Sequence, residues 1–177
     1  MEIEAKILEV DVKAVERRLQ ALGAKVTFDG AHEAYAFDDE RRSIRAAKSL
    51  LRLRREIDHG EERVTFTFKQ KAGGKNVKRA VEHETIVESF AQARKILEGL
   101  GLRVTRVVRK RRREYSLGRT HYCFDTFKGV PTFLEIESAS ESAVVAAARQ
   151  LGFSRNDLKP WTGVDVLKHY GVKSSST

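Results

Sequence analysis

The sequence predicts an α+β fold dominated by antiparallel strands. Three observations carry that prediction: most of the chain alternates apolar and polar residues with period two, only four segments show helical spacing, and turn-forming residues separate many of the alternating segments. In chain order, alternation marks strands near 1–9, 24–28, 32–37, 50–57, 63–70, 77–87, 103–116, 121–127 and 132–138. The turns between them include Asp58-His59-Gly60, Ala72-Gly73-Gly74-Lys75-Asn76, Leu117-Gly118 and Lys128-Gly129-Val130-Pro131.

Helical spacing appears first at 11–22, where Val15, Leu19 and Leu22 share a face and Gly23 supplies the stop. A second helix is expected at 89–100: Ser89 and Gln92 form a capping pattern, Phe90, Ala93, Ile96, Leu97 and Leu100 line one face, and Gly101 ends it. A third spans 141–151, with Val144, Val145, Ala148 and Leu151 inward, and a short fourth at 163–170 carries Val164, Leu167 and Tyr170. The charged stretch 38–49 reads as a loop or lid. Three Glu-x-Glu pairs (Glu2/Glu4, Glu82/Glu84 and Glu135/Glu137) each end a strand, and each is followed by a helix closing on Leu-Gly.

A length of 177 residues fits one domain, expected over 1–172, with a disordered serine-rich tail at 173–177. A hydrophobic content of 41% is enough for a core, and 2 prolines leave no Pro-rich linker. The single cysteine, Cys123, excludes an intramolecular disulfide framework and points to a reducing compartment. No apolar run is long enough to span a membrane and the first residues lack a signal-peptide pattern, so a cytoplasmic protein with no membrane partner is expected. An excess of 34 Lys and Arg over 25 Asp and Glu, net +9, favours anionic partners.

Strand parity decides where those charges sit. Arg52 and Arg54 oppose Leu51 and Leu53; Thr65, Thr67 and Lys69 oppose Val64, Phe66 and Phe68; Lys110 and Arg112 share a face with Val108; Asp125 and Cys123 oppose Tyr122 and Phe124; Glu135 and Glu137 oppose Leu134 and Ile136; and Glu2, Glu4 and Lys6 oppose Ile3, Ala5 and Ile7. Several strands thus have one apolar and one charged face. An ordinary half-solvated sheet gives that pattern, but the paired glutamates would repel across it unless a cation neutralised them. A sheet closed on itself would turn the charged faces into a polar tunnel with helices outside. Arginines and lysines in such a lumen suit an extended polyanion such as a triphosphate, and clustered carboxylates suit a hard divalent cation, Mg²⁺ or Mn²⁺.

The run Arg109 to Arg113 in isolation suggests a nucleic-acid patch. Alternation divides it between two faces, and with only 8% aromatic residues no base-stacking platform is evident, so nucleic acid is disfavoured. His32, His59 and His83 show no ligand spacing, and Cys123 has no histidine nearby to activate it.

In order along the chain, Glu2-Ile3-Glu4-Ala5-Lys6, the LRLR at 51–54, the TFK at 67–69, the E-x-E at 82–84, the K-x-R at 110–112, Asp125 and the E-x-E at 135–137 resemble the CYTH superfamily, the triphosphate tunnel metalloenzymes. The resemblance covers residues 2 to about 170 and implies a closed eight-stranded antiparallel β-barrel, with helices outside, that binds a metal-complexed triphosphate. It implies metal ligation by Glu2, Glu4, Glu135 and Glu137, with Glu82, Glu84 and Asp125 lining the acidic side or holding a second ion. It implies phosphate binding by Lys6, Arg52, Arg54, Lys69, Lys110 and Arg112, and a catalytic role for Lys6 in activating water in hydrolytic members. The family includes class IV adenylyl cyclases, thiamine triphosphatases and inorganic triphosphatases.

The compact length and the Ala34-Tyr35-Ala36-Phe37-Asp38-Asp39 stretch look most like the cyclase branch, which converts ATP to cyclic AMP and pyrophosphate. The alternatives are a triphosphatase acting on thiamine triphosphate or tripolyphosphate, and a non-catalytic module binding polyphosphate or nucleotide. A homodimer is compatible with the sequence. Two departures stand out. Ala80 occupies the place where many members carry Arg before the middle E-x-E, and Lys159-Pro160-Trp161-Thr162 stands where many carry a Lys-Ser-Tyr-like stretch.

Overall fold

The computed structural model describes residues 2–73 and 77–172, with the side chain of Glu2 outside that description. Much of the expected turn at 72–76 and the whole tail at 173–177 therefore lie outside the described residues. Among the described residues the elements run β1 (Glu2–Ile7), α1 (Val12–Ala21), β2 (Lys25–Asp38), α2 (Ser43–Ala46), β3 (Ser49–Asp58), β4 (Glu61–Gly73), β5 (Lys78–Ile86), α3 (Phe90–Gly99), β6 (Arg103–Leu117), β7 (Thr120–Thr126), β8 (Phe133–Ser138), α4 (Glu141–Gln150), a 3-10 turn (Arg155–Asp157) and α5 (Gly163–His169). The eight strands close into one barrel in the order β1-β5-β4-β3-β2-β6-β7-β8. Every neighbouring pair is antiparallel.

Closure removes the exposed sheet edges and sorts side chains by parity. Outward residues meet the helices. Ile3, Ala5, Ile7, Tyr122, Leu134 and Ile136 pack with Val15 and Leu19 of α1 and Val144, Ala147 and Ala148 of α4. Phe37, Leu53 and Val64 pack with Leu97 of α3. Each buried Val, Leu, Ile or Phe among them contributes roughly 1.5–3 kcal/mol by leaving water. Helices α1, α3 and α4 are capped by Asp11, Ser89 and Ser140, each accepting a backbone N–H three residues on. The helix-end glycines Gly23, Gly101 and Gly152 have φ of 81°, 81° and 85°, as the Leu-Gly closures required.

Three features differ from the sequence expectation. The segments 24–28 and 32–37 form one strand, because Gly30 stays in the ladder, paired with Asp58 on one side and Arg112 on the other. A Cβ at Gly30 would run into the carbonyl oxygen of Ile57, so this position acts as a close approach rather than a turn. Ile96 and Leu100, expected inward on α3, are 63% and 73% exposed, because the helix rests on its Leu97 edge. The stretch 38–49 contains the short helix α2, held by Asp38, whose carboxylate accepts the backbone N–H groups of Asp39, Ile44 and Arg45 at 3.0 Å each.

Helix α5 closes one end of the barrel. Val166 and Leu167 join Phe127, Val130 and Phe133 in a separate apolar cluster that also holds Val108 and Trp161. Phe133 pairs across the sheet with Asp125 and therefore shares its inward parity. The lumen is thus sealed by hydrocarbon at one end and lined by charge further in.

Candidate active site

The inward face is built from cross-strand rows. Glu4 on β1 sits directly opposite Glu137 on β8, and Lys6 directly opposite Glu135. Next around the barrel, Cys123 faces Glu135, and Asp125 pairs with Arg112 of β6. Across the lumen, Thr67, Arg52 and Ala36 form one row of neighbours, and Thr65, Arg54 and Ala34 another. Lys69 pairs with Glu82 and Thr67 with Glu84. The structure therefore places on one face every site residue expected from the sequence whose side chain it describes. Glu2 lies in β1 with its backbone paired to Ala80, and its side chain lies outside the described residues.

The most buried part is a knot of ion pairs. Lys6 donates to Glu4 at 3.0 Å and is paired with Glu135. Arg112 forks onto Asp125 with two bonds of 2.7 Å and reaches Glu135 at 2.8 Å, and Lys110 donates to Asp125 at 2.6 Å. Burial by itself would raise the Glu4 carboxyl, but Lys6 and Lys78 outweigh it and hold the group down to about 2. Burial likewise opposes the charge on Lys6, but Glu135 and Glu4 prevail and push its ammonium above the usual range. Glu135 is held well below the carboxylate range, burial being overcome by Lys6, Arg112 and Lys110. Burial pushes the Cys123 thiol well up, which removes it as a nucleophile.

On the other wall the cations are held more loosely. Lys69 pairs with Glu82 at 2.8 Å, Arg54 with Glu56 at 3.0 Å and with Glu84 at 3.4 Å, and Arg52 lies 3.6 Å from both Glu82 and Glu84. Thr67 donates to Glu84 at 2.8 Å.

Two of these positions were not legible in the sequence. His32 is inward and buried, 3.3 Å from Glu56 and opposite Lys110 on the neighbouring strand. Burial, reinforced by Lys110, Arg112 and Arg54, keeps its imidazole neutral. The signal available was parity with Ala34 and Ala36 within the strand expected at 32–37, whereas ligand spacing, the only test applied to His32, carries no information about which face it occupies. Lys78 supplies the cation that the Ala80 position lacks, donating to Glu4 at 2.9 Å, whereas Arg79 points outward to Glu141 on α4 at 3.0 Å.

A divalent cation is tested by the carboxylates themselves. Among the described residues no group of three His, Cys, Asp or Glu side chains converges as a ready metal cage. Glu137 nonetheless makes no hydrogen bond or ion pair among the described residues, and burial followed by the charges of Glu135 and Glu4 raises its pKa. A largely buried carboxylate with acidic neighbours and no partner fits an oxygen-ligating cation. Glu137 and Glu4 would hold it, with Glu2 from the same strand as Glu4; Glu135 already has one oxygen on Lys6 and the other on Arg112.

A closed antiparallel tunnel lined by phosphate-type cations on one wall and carboxylates on the other defines a polyanion-binding barrel. The CYTH domain model matches residues 1–159, and the chain belongs to the CYTH family, whose members are divalent-metal enzymes acting on triphosphates. No curated protein matches the sequence. Among solved structures, a candidate adenylate cyclase from Vibrio parahaemolyticus superposes with a TM-score of 0.80 at 20% identity, covering 94% of this chain and 97% of that one. A Pyrococcus horikoshii protein gives 0.76 at 26% identity, covering 94% and 99%. A candidate adenylyl cyclase from Hippeastrum, described as having a dominant triphosphatase activity, gives 0.67 at 16% identity, covering 98% and 97%. The Vibrio and Hippeastrum likenesses, at such identity, show the shared fold alone. Among the described residues no helix is long and apolar enough to cross a membrane.

Proposed function

We propose that this chain is a divalent-metal-dependent adenylyl cyclase of the class IV type, converting ATP to cyclic AMP and pyrophosphate. The observation that carries the reading is the juxtaposition of an unpartnered inward carboxylate, Glu137, with a wall of inward Arg and Lys side chains. Most of those cations already hold a carboxylate, so a triphosphate entering the lumen must displace Glu82 or Glu84 from them. The entry is favourable when a cation enters with it to balance the displaced acids. Mg²⁺ or Mn²⁺ would supply that charge and neutralise what develops on the leaving phosphate.

Arg52, Arg54, Lys69, Lys110 and Arg112 bind and orient the phosphate chain. Asp125 keeps Lys110 and Arg112 aimed into the lumen, and the apolar plug under α5 keeps bulk water from that end. In the cyclisation the ribose 3′-hydroxyl oxygen attacks the α-phosphorus and its proton is released to solvent or to the departing pyrophosphate, a new oxygen–phosphorus bond forms, the bond to the bridging oxygen breaks, and pyrophosphate leaves with that oxygen.

Hydrolysis assisted by Lys6 is disfavoured by the surroundings of that residue. Fixed between Glu4 and Glu135, with its pKa pushed up, it is unsuited to take a proton from water. Lys159 contributes no Lys–Tyr pair: its backbone bridges to Lys6 through bonds of 2.9 and 2.8 Å, its ammonium lies 3.4 Å from the carbonyl oxygen of Asn156, and Trp161 stands where a tyrosine would be needed. Lys6 is therefore assigned to electrostatic organisation of the acidic wall. Purified protein with Mg²⁺ or Mn²⁺ should produce cyclic AMP and pyrophosphate from ATP. Phosphate release from thiamine triphosphate or tripolyphosphate with no cyclic product from ATP would replace this reading with a triphosphatase, and absence of turnover on all three would leave a binding module.

A further inference from the structure

Glu56, near the end of β3, is an inward acid to which the metal and phosphate roles above give no part. Its parity is that of Arg52 and Arg54, and its cross-strand neighbours are His32 on β2 and Arg63 on β4. One carboxylate oxygen, Oε1, lies 3.0 Å from Nε of Arg54 and 3.3 Å from Nε2 of His32. The Glu56 side chain is 13% exposed and that of His32 5%, so the charge on this acid has to be answered inside the lumen. With a carboxylate oxygen facing it, Nε2 of His32 carries the ring hydrogen, which leaves Nδ1 as an acceptor. The ring packs edge-on against Phe28 at 4.8 Å between centroids, which fixes it in this orientation.

The charged groups facing the imidazole are Arg52, Arg54 and Glu56 from β3 and Lys110 and Arg112 from β6, with Arg63 on the far side of Glu56. Lys110 and Arg112 are committed to Asp125, and Arg63 is exposed. Arg54 is therefore the cation that answers Glu56, and His32, among so many positive charges, stays neutral. Arg54 is also one of the groups assigned to the phosphates, so two acids lose it when a phosphate takes it. Glu84 keeps the Thr67 hydroxyl at 2.8 Å and lies 3.6 Å from Arg52. Glu56 keeps only His32 among the described residues. A buried carboxylate deprived of its cation is costly, and an imidazole already in contact with it is the group able to restore the balance.

We propose that His32 couples polyanion binding to the uptake of a proton: as the phosphates draw Arg54 away from Glu56, the imidazole becomes the counter-ion of that acid. The inference rests on the triphosphate reading above. The proton comes from solvent and enters at Nδ1, while Nε2–H remains on Glu56. The ligand-bound form carries the extra proton, so the protein's contribution to affinity rises as pH falls through the ordinary histidine value of about 6.5. The arginines of the lumen stay charged throughout that range and give no such dependence.

The test is calorimetry of Mg²⁺-complexed tripolyphosphate binding at about pH 6, in buffers of low and high ionisation heat, for the wild type, His32→Gln and Glu56→Gln. Glutamine at 32 keeps an N–H for Glu56 and does not titrate, and glutamine at 56 removes the charge to be answered. Proton exchange by the ligand and the metal is common to the three proteins, so the differences between them report on this pair. The wild type should take up roughly 0.5–1 proton per site more than either variant. Histidine-ring NMR of the wild type is a second readout that requires no variant to bind: the signals absent from His32→Gln should move to the imidazolium position when ligand is added. Uptake in His32→Gln equal to the wild type, uptake kept in Glu56→Gln, or a His32 ring that stays neutral in the complex would overturn the inference while leaving the triphosphate reading intact. Failure of the wild type to bind tripolyphosphate would overturn both.

Discussion

The two faces of β6 carry the same sign of charge in a single basic run, Arg109 to Arg113, and do different work. Outward, Arg109 pairs with Glu33, Arg111 with Asp29 at 3.3 Å, and Arg113 with Asp29 and Glu16 at 2.8 and 2.9 Å. Those three guanidinium side chains are 61%, 72% and 45% exposed. Inward, Lys110 and Arg112 are 16% and 9% exposed and share an Asp125 that is 1% exposed. Water screens the outward pairs, so each contributes little. The inward pairs have no such screening, so removing a partner leaves a buried charge. Identical chemistry on the two sides of one strand thus yields a solvated surface on one side and a site on the other.

The largest effect should come from breaking the inward set. Asp125→Ala leaves Lys110 and Arg112 facing each other without their shared acid and should cost about 3–5 kcal/mol in urea unfolding. A cost below that of an exposed pair would show that the knot is solvated after all.

Acid should act next, on the same wall. Glu4 is held at about 2 against an ordinary 4.5, so its contribution is complete above pH 4.5 and is lost as pH falls toward 2. Metal-free protein should lose stability steadily over that window, and Lys6→Met should flatten the slope by removing the partner that lowers Glu4. Glu137 carries the opposite sign, its pKa being raised by burial and by Glu135 and Glu4. Glu137→Gln should therefore stabilise the metal-free protein at neutral pH, by about 1 kcal/mol, because it removes a like charge directly opposite Glu4. The same variant should lose most of the Tm increase that Mn²⁺ or Mg²⁺ gives the wild type. A destabilised variant that kept its full response to metal would contradict the assignment of Glu137. Arg111→Ala, on the outward face, should change stability by less than about 0.5 kcal/mol.

Much of this was legible in the sequence because a strand's parity is strict. Once Leu51 and Leu53 are placed outward, Arg52 and Arg54 must be inward, and the same logic orients Lys110, Arg112, Asp125 and Glu135. Three things escaped it. Gly30 falls between the two strands expected at 24–28 and 32–37 but is a close backbone approach inside one continuous β2, and the inward place of His32 is invisible to a search for ligand spacing. The cation needed beside Glu4 comes from Lys78, since strand pairing and not proximity in sequence to the middle E-x-E decides which side chain reaches β1. The difference between Glu135 and Glu137, two residues apart on one face, is also invisible locally: one is ion-paired with Lys6 and Arg112, and the other stands between Glu4 and His121 with no ion pair among the described residues. The exposed Ile96 and Leu100 show the limit of helical periodicity, which defines an apolar face but not how much of it the barrel covers.

The most direct measurement of the central claim compares neighbours in the chain that face opposite ways. Tripolyphosphate affinity, in the presence of Mg²⁺, would be measured for wild type, Lys110→Met and Arg111→Met. Loss of one charge-assisted phosphate contact should weaken Lys110→Met roughly ten- to a hundredfold, and Arg111→Met should bind like the wild type. Equal weakening in the two variants, or an effect confined to Arg111→Met, would contradict a ligand held inside the barrel.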